Sequence, residues 1–108
     1  GTVVGSQHNA IYFRERQRGA AMILNRAILP ERTYDAAELA SALQDAMNAA
    51  MWLGAGYTCT YNVAKQTVTV SRPVSEQSFF IVNDDPQKAI EVAKAEDKLV
   101  LYNFTGFN

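Results

Sequence analysis

At 108 residues and 11.9 kDa the chain has room for one hydrophobic core and not two, since domains commonly run to about 100–150 residues. A hydrophobic fraction of 48% against 19% charged excludes disorder of the whole chain. Ten Lys and Arg against eleven Asp and Glu leave a net charge of -1, so no bulk field selects nucleic acid, an anionic membrane or a cationic substrate.

The apolar runs are a few residues long, where about 20 are needed to span a bilayer, so a soluble domain with no membrane partner is expected. We read residues 1–108 as one domain, a piece of a longer chain. Residues 1–8 mix Gly, Ser, Thr and Val without a period and read as a flexible arm or a leading strand. Ala10 to Arg16 is aromatic and β-branched, and its alternation puts Ile11 and Phe13 on one face of a strand. Gln17-Arg18-Gly19 supplies a turn, and Ala20 to Leu29, closed by Pro30, is expected to be a strand paired with the first.

The sharpest local signal is Tyr34-Asp35-Ala36-Ala37-Glu38-Leu39. Asp35 is placed to accept from the amide of Glu38 while Glu38 reaches back, a capping box, with Tyr34 and Leu39 spaced as a hydrophobic staple. The helix that starts there carries Leu39, Leu43, Met47 and Met51, with Ala36, Ala40, Ala46 and Ala50 beside them, as one apolar stripe. Glu38, Ser41, Gln44, Asp45 and Asn48 take the other side, and Gly54 and Gly56 are expected to end the helix near residue 53.

Beyond it the period changes to two. Tyr57, Cys59 and Tyr61 alternate with Thr58 and Thr60, a polar turn follows, and Thr67 to Ser71 completes a β-hairpin. Ser78 to Val82 reads as a further strand, apolar on both faces and therefore central or covered. Asp84-Asp85-Pro86 predicts a short helix over about 86–97, with Ala89, Ile90, Val92 and Ala93 as its apolar side. Lys98 to Phe104 predicts a last strand. The expected class is α+β: a mixed or antiparallel sheet of about five strands, the 35–53 helix across one face and the short C-terminal helix. The element order also matches a ubiquitin-like roll.

Catalysis finds few supports in this chain. His8 is its single histidine, in the least structured segment, and reads as a solvated arm residue. Cys59 is the single cysteine, unable to form an internal disulfide, and falls on the Tyr57/Tyr61 face as a buried thiol. Asp84 and Asp85 are adjacent carboxylates that a helix cap explains, and no metal-ligand spacing or phosphate-cradling glycine loop accompanies them. We therefore assign no catalytic, cofactor or metal residues and expect a non-enzyme. Arg14, Arg16 and Arg18 alternate at strand spacing, with Arg26 and Arg32 as further cations, and form a candidate anion or nucleic-acid patch. Glu15 and Glu31 dilute it, and a solvated strand face explains it as well.

Leu29-Pro30-Glu31-Arg32-Thr33-Tyr34-Asp35-Ala36-Ala37-Glu38-Leu39, followed by Tyr57-Thr58-Cys59-Thr60-Tyr61-Asn62, Thr67 to Ser71 and Phe79 to Val82, resembles small modules of virion structural proteins over about residues 20–83. Such modules occur in phage tail fibres, baseplates and capsid-associated proteins. The resemblance implies pairing with neighbouring subunits or self-association, a place in a virion, and no catalytic residues. Ala89 to Gly106 is similar to the helix and strand that precede the active site of thioredoxin-like domains, whose cysteine pair is absent here. The expected function is thus a structural or assembly module with a protein partner. Anion or nucleic-acid binding is the alternative, and a thioredoxin-like piece lacking its cysteines the third reading.

Overall fold

A computed structural model describes residues 2–5, 8–16, 22–51, 56–64, 67–72, 79–81, 90–93 and 98–102. Its elements are, in chain order, β1 (Thr2–Val4), β2 (Ala10–Arg16), β3 (Met22–Ile28), β4 (Arg32–Tyr34), α1 (Ala36–Ala50), β5 (Thr58–Asn62), β6 (Thr67–Ser71), β7 (Phe79–Ile81), β8 (Ile90–Ala93) and β9 (Lys98–Tyr102). The class is α+β, with one main helix and small antiparallel sheets.

The strands do not make the single five-stranded sheet of a ubiquitin-like roll. They form a pair, β1-β4, a three-stranded sheet in the order β3-β2-β7, and a four-stranded sheet in the order β5-β6-β9-β8. Periodicity places a residue on a face but does not name the neighbouring strand, which is why one sheet was expected and separate sheets form. The pairing of β2 with β3 is as expected, Ala10 opposite Ile28 and Arg16 opposite Met22. β2 is the central strand of its sheet, and β7 lies beside it, Phe13 opposite Ile81, with Phe79 and Ile81 buried.

Thr2–Val4 takes the strand alternative over the flexible arm: it pairs with β4, Thr2 opposite Tyr34, and Val4 is buried. The expected C-terminal helix is also corrected. Ile90–Ala93 is a strand antiparallel to β9, with Ile90 opposite Leu101. Ile90 and Val92 are β-branched and two apart, which suits a strand better than a helical turn. Asp84, Asp85 and Pro86, read as its start, lie outside the described residues. The helix-then-strand likeness to thioredoxin-like domains loses its helix at the same place.

Helix α1 starts as its sequence dictates. The Asp35 carboxylate accepts from the Glu38 amide at 2.8 Å and Glu38 Oε1 accepts from the Asp35 amide at 3.1 Å. Leu39, Ala40, Leu43, Ala46 and Met47 are buried, with Ala50 and Met51 packed against the core. The helix ends at Ala50, and Met51 is its extended C-cap, its N–H donating to the Met47 carbonyl. Gly56 therefore does not end the helix, and its φ lies outside the left-handed region. A Cβ there would come within 3.2 Å of Asn48 Oδ1. Gly54 lies outside the described residues.

The core gathers Ile11, Phe13, Ala27 and Leu29 from the first hairpin, Tyr34 from β4, the α1 stripe, and Val68, Val70, Phe79 and Ile81. Among the described residues no helix is long and apolar enough to cross a membrane.

Candidate functional site

Three places hold the polar and exposed groups from which a function could be built: a buried polar cluster, the edge of the hairpin sheet under α1, and the outer face and edge of β3. The cluster centres on Glu15, 4% exposed, and Arg72, 3% exposed. Glu15 follows Ile11 and Phe13 at strand period and so points inward with them. Arg72 follows Val68 and Val70 in the same way.

Arg72 Nη1 donates to Glu15 Oε2 at 2.9 Å and to the Tyr57 hydroxyl at 3.1 Å, and Tyr57 itself donates to Glu15 Oε2 at 2.6 Å. Asn25 Nδ2 donates to the other carboxylate oxygen. The Arg72 guanidinium lies 5.0 Å from the Tyr57 ring centre, and that ring meets Phe13 and Phe79 edge-on at 5.4 and 5.0 Å. Burial first, then the hydrogen bond to Glu15 and its charge, hold the Tyr57 phenol well above its usual value, so it remains a donor. This cluster ties β2, β3 and the hairpin together through charges that burial has taken out of water. Three of its side chains bond to one another around Glu15 Oε2, while Arg72 Nε is buried and makes no hydrogen bond among the described residues; charges buried and paired in this way act as a fastener.

The second place is the β5 edge. Asn48 Oδ1 accepts from the Tyr57 amide at 2.6 Å while Asn48 Nδ2 donates to the Tyr57 carbonyl at 3.0 Å, and Gln44 Oε1 accepts from the Cys59 amide at 3.0 Å. Two carboxamides one helical turn apart thus meet backbone groups two residues apart, as a neighbouring strand would. Among the described residues no strand lies along this edge, and these side chains cap its start.

The third place is different in kind. β3 is the outer strand of its sheet, and its solvent face presents Leu24 at 50% and Ile28 at 43% exposure, with Arg26 exposed between them. Arg26 lies over the Tyr12 ring at 5.9 Å. Ile28 continues into an open groove of about 420 Å³ between α1 and the β3–β4 turn, lined also by Pro30, Arg32, Tyr34, Asp45 and Ala46. The Tyr34 hydroxyl donates to the Pro30 carbonyl at 2.6 Å and fixes that turn. Arg32 lies over the Tyr34 ring at 4.7 Å and pairs with Glu38.

The residues singled out from sequence are dispersed. Arg14 is half-buried on the outer face of β2, opposite Leu24 and Phe80; Arg16 ends that strand; Arg18 lies outside the described residues. Glu15 is not part of that face, because it points into the core. His8 is exposed, its amide bonded to the Gly5 carbonyl. Cys59 is buried, and burial pushes its thiol up to about 12. Among the described residues no three His, Cys, Asp or Glu are grouped to hold a metal ion. Arg72, Tyr57, Gln44 and Asn48 were not picked out as a set: Arg72 drew no reading, Tyr57 was placed on a strand face, and Gln44 and Asn48 on the helix side away from the apolar stripe, where they instead meet the Tyr57 and Cys59 backbone.

No protein-family model matches this chain, and neither a curated protein nor a solved structure matches it.

Proposed function

We propose that this domain is a non-catalytic assembly module that works by docking protein against its outer surface. The observation that carries the reading is the contrast between two sheet edges. The β5 edge is capped by Gln44 and Asn48, whereas β3 is an outer strand of seven residues with Leu24 and Ile28 exposed beside it. Among the described residues no strand pairs with the outward side of β3, and an edge flanked by aliphatic side chains, here with the single charge of Arg26 between them, is a template for another chain. The resemblance to virion modules agrees with this reading and extends it to pairing with neighbouring subunits of a particle.

The test is a Leu24→Lys/Ile28→Lys double variant. Both positions are exposed, so the variant keeps its circular dichroism and unfolding temperature while losing the concentration-dependent association of the wild type. Wild-type protein that is monomeric at every concentration counts against the proposal.

Anion or nucleic-acid binding is the second reading, supported by one placement: Arg14 and Arg26 sit diagonally on the outer face of the β2–β3 pair, with Tyr12 between the strands' outer residues. Titration with short oligonucleotides separates the two readings, since binding through Arg14, Arg16 and Arg18 appears at low salt and weakens as salt rises.

A further inference from the structure

We infer that the buried cluster of Glu15, Arg72, Tyr57 and Asn25 is a register device: it selects the one way in which the β5–β6 hairpin seats on the β2–β3 pair. Its contribution is to the uniqueness of that packing more than to its stability.

Apolar contact alone leaves the offset between the two parts open. Ile11 and Phe13 are buried from β2, and Val68 and Val70 from β6. Hydrophobic burial has no direction and scales with area, so faces of this kind can meet at more than one offset. Among the described residues no backbone ladder joins the sheet of the hairpin to that of β2. Gln44 and Asn48 bond the hairpin segment to α1, and α1 in turn meets the core through its apolar stripe.

The charges remove that freedom. Side chains on one face of a strand recur every two residues, about 6.5–7 Å, so a shift of the hairpin by one repeat along its own strands sets aliphatic groups back among aliphatic groups. Such a shift carries Arg72 Nη1, which lies 2.9 Å from Glu15 Oε2, out of hydrogen-bond reach. It parts two charges that are both buried. Parting a buried pair is far costlier than an altered apolar fit, so the observed offset is the one that survives.

Tyr57 and Asn25 sharpen the choice. The Tyr57 hydroxyl donates to Glu15 Oε2 at 2.6 Å, Asn25 Nδ2 donates to Oε1, and the Tyr57 ring stands edge-on to Phe13 and Phe79. The carboxylate is thus approached from β3, from the start of the hairpin and from its end. Directions fixed around one carboxylate admit one placement, where an aliphatic pair in the same positions would admit several.

The experiment compares the full wild-type chain with Glu15→Met/Arg72→Met and Glu15→Leu/Arg72→Met, each dilute enough to sediment as a monomer. Leu24 and Ile28 are unchanged in both, so association through β3 is read separately from packing. The double variants are expected to keep the far-UV circular dichroism of the wild type and to lose its near-UV signal. Their β5 and β6 amides are expected to give several or broadened resonances where the wild type gives one sharp set. One sharp set in either double variant, with the Tyr57 ring still against Phe13 and Phe79, overturns the inference, because apolar packing would then select the offset unaided. Loss of the far-UV signal in both overturns it as well, since the pair would then be supplying stability.

Discussion

Replacing Tyr57 with Phe isolates the buried cluster from the packing around it. The ring keeps its edge contacts with Phe13 and Phe79, and the hydroxyl that is lost makes two contacts, one donated to Glu15 Oε2 at 2.6 Å and one accepted from Arg72 Nη1 at 3.1 Å. A hydrogen bond to a charged group contributes about 1.5–3 kcal/mol. Arg72 keeps its direct bond to Glu15, so the loss is close to one such bond, about 2 kcal/mol. Urea unfolding monitored by tryptophan fluorescence reads this as a midpoint lowered by about 1 M with the slope unchanged, given slopes of about 1–3 kcal/mol/M for small proteins.

The same substitution carries a pH signature. The folded phenol lies above its usual value of 10.0, so its contribution is complete below pH 10 and is lost as pH rises above it, where the unfolded chain ionises first. The gap between wild type and Tyr57→Phe narrows there. A midpoint shift under about 0.3 M would mean the cluster is solvated and the reasoning about its burial is wrong.

Breaking the ion pair itself is costlier: Arg72→Met removes the guanidinium that meets Glu15 Oε2 at 2.9 Å and costs about 3–5 kcal/mol, while Glu15→Met/Arg72→Met loses less than the two single changes added, which a double-mutant cycle measures. Asn48→Ala strips both bonds from the Tyr57 backbone and costs about 1–3 kcal/mol. It also opens the β5 edge, so light scattering of the concentrated variant rises above wild type. The Glu38 amide, foremost among its partners, holds the Asp35 carboxyl below its ordinary value. Asp35→Ala therefore lowers the unfolding temperature at neutral pH, and the difference disappears as pH falls below the ordinary aspartate range through the depressed folded value. Cys59 is buried, and burial pushes its thiol up to about 12. It reacts with a thiol reagent at the rate of unfolding rather than of collision.

Local chemistry was the legible part of the sequence. The capping box at Asp35 and Glu38, the apolar stripe of α1 and the two hairpins follow from neighbours three, four or two residues apart, and each forms where its pattern lies. What pairs across distance was not legible. Glu15 and Arg72 are 57 residues apart, and β2 and β6 belong to separate sheets. Glu15 shares a strand period with Ile11 and Phe13, and Arg72 with Val68 and Val70, although Glu15 was set against the arginine patch and Arg72 drew no reading. Two opposite charges on apolar faces were a pointer to one another, obscured because Glu15 stands between Arg14 and Arg16. Gln44 and Asn48 were placed on the side away from the apolar stripe because helical periodicity sorts side chains by polarity alone. It does not register that a strand edge needs polar partners. The C-terminal helix failed for a related reason, since Ile90 and Val92 satisfy a short helical stripe and a strand alike.

The central claim, that the domain acts through the outward edge of β3, is tested most directly by hydrogen exchange of that strand in dilute and in concentrated protein. The account predicts that the amides of Leu24, Arg26 and Ile28 exchange quickly when dilute and are protected when concentrated, while those of Ile23, Asn25 and Ala27, bonded to β2, are protected in both. Rapid exchange at Leu24, Arg26 and Ile28 under both conditions would contradict it.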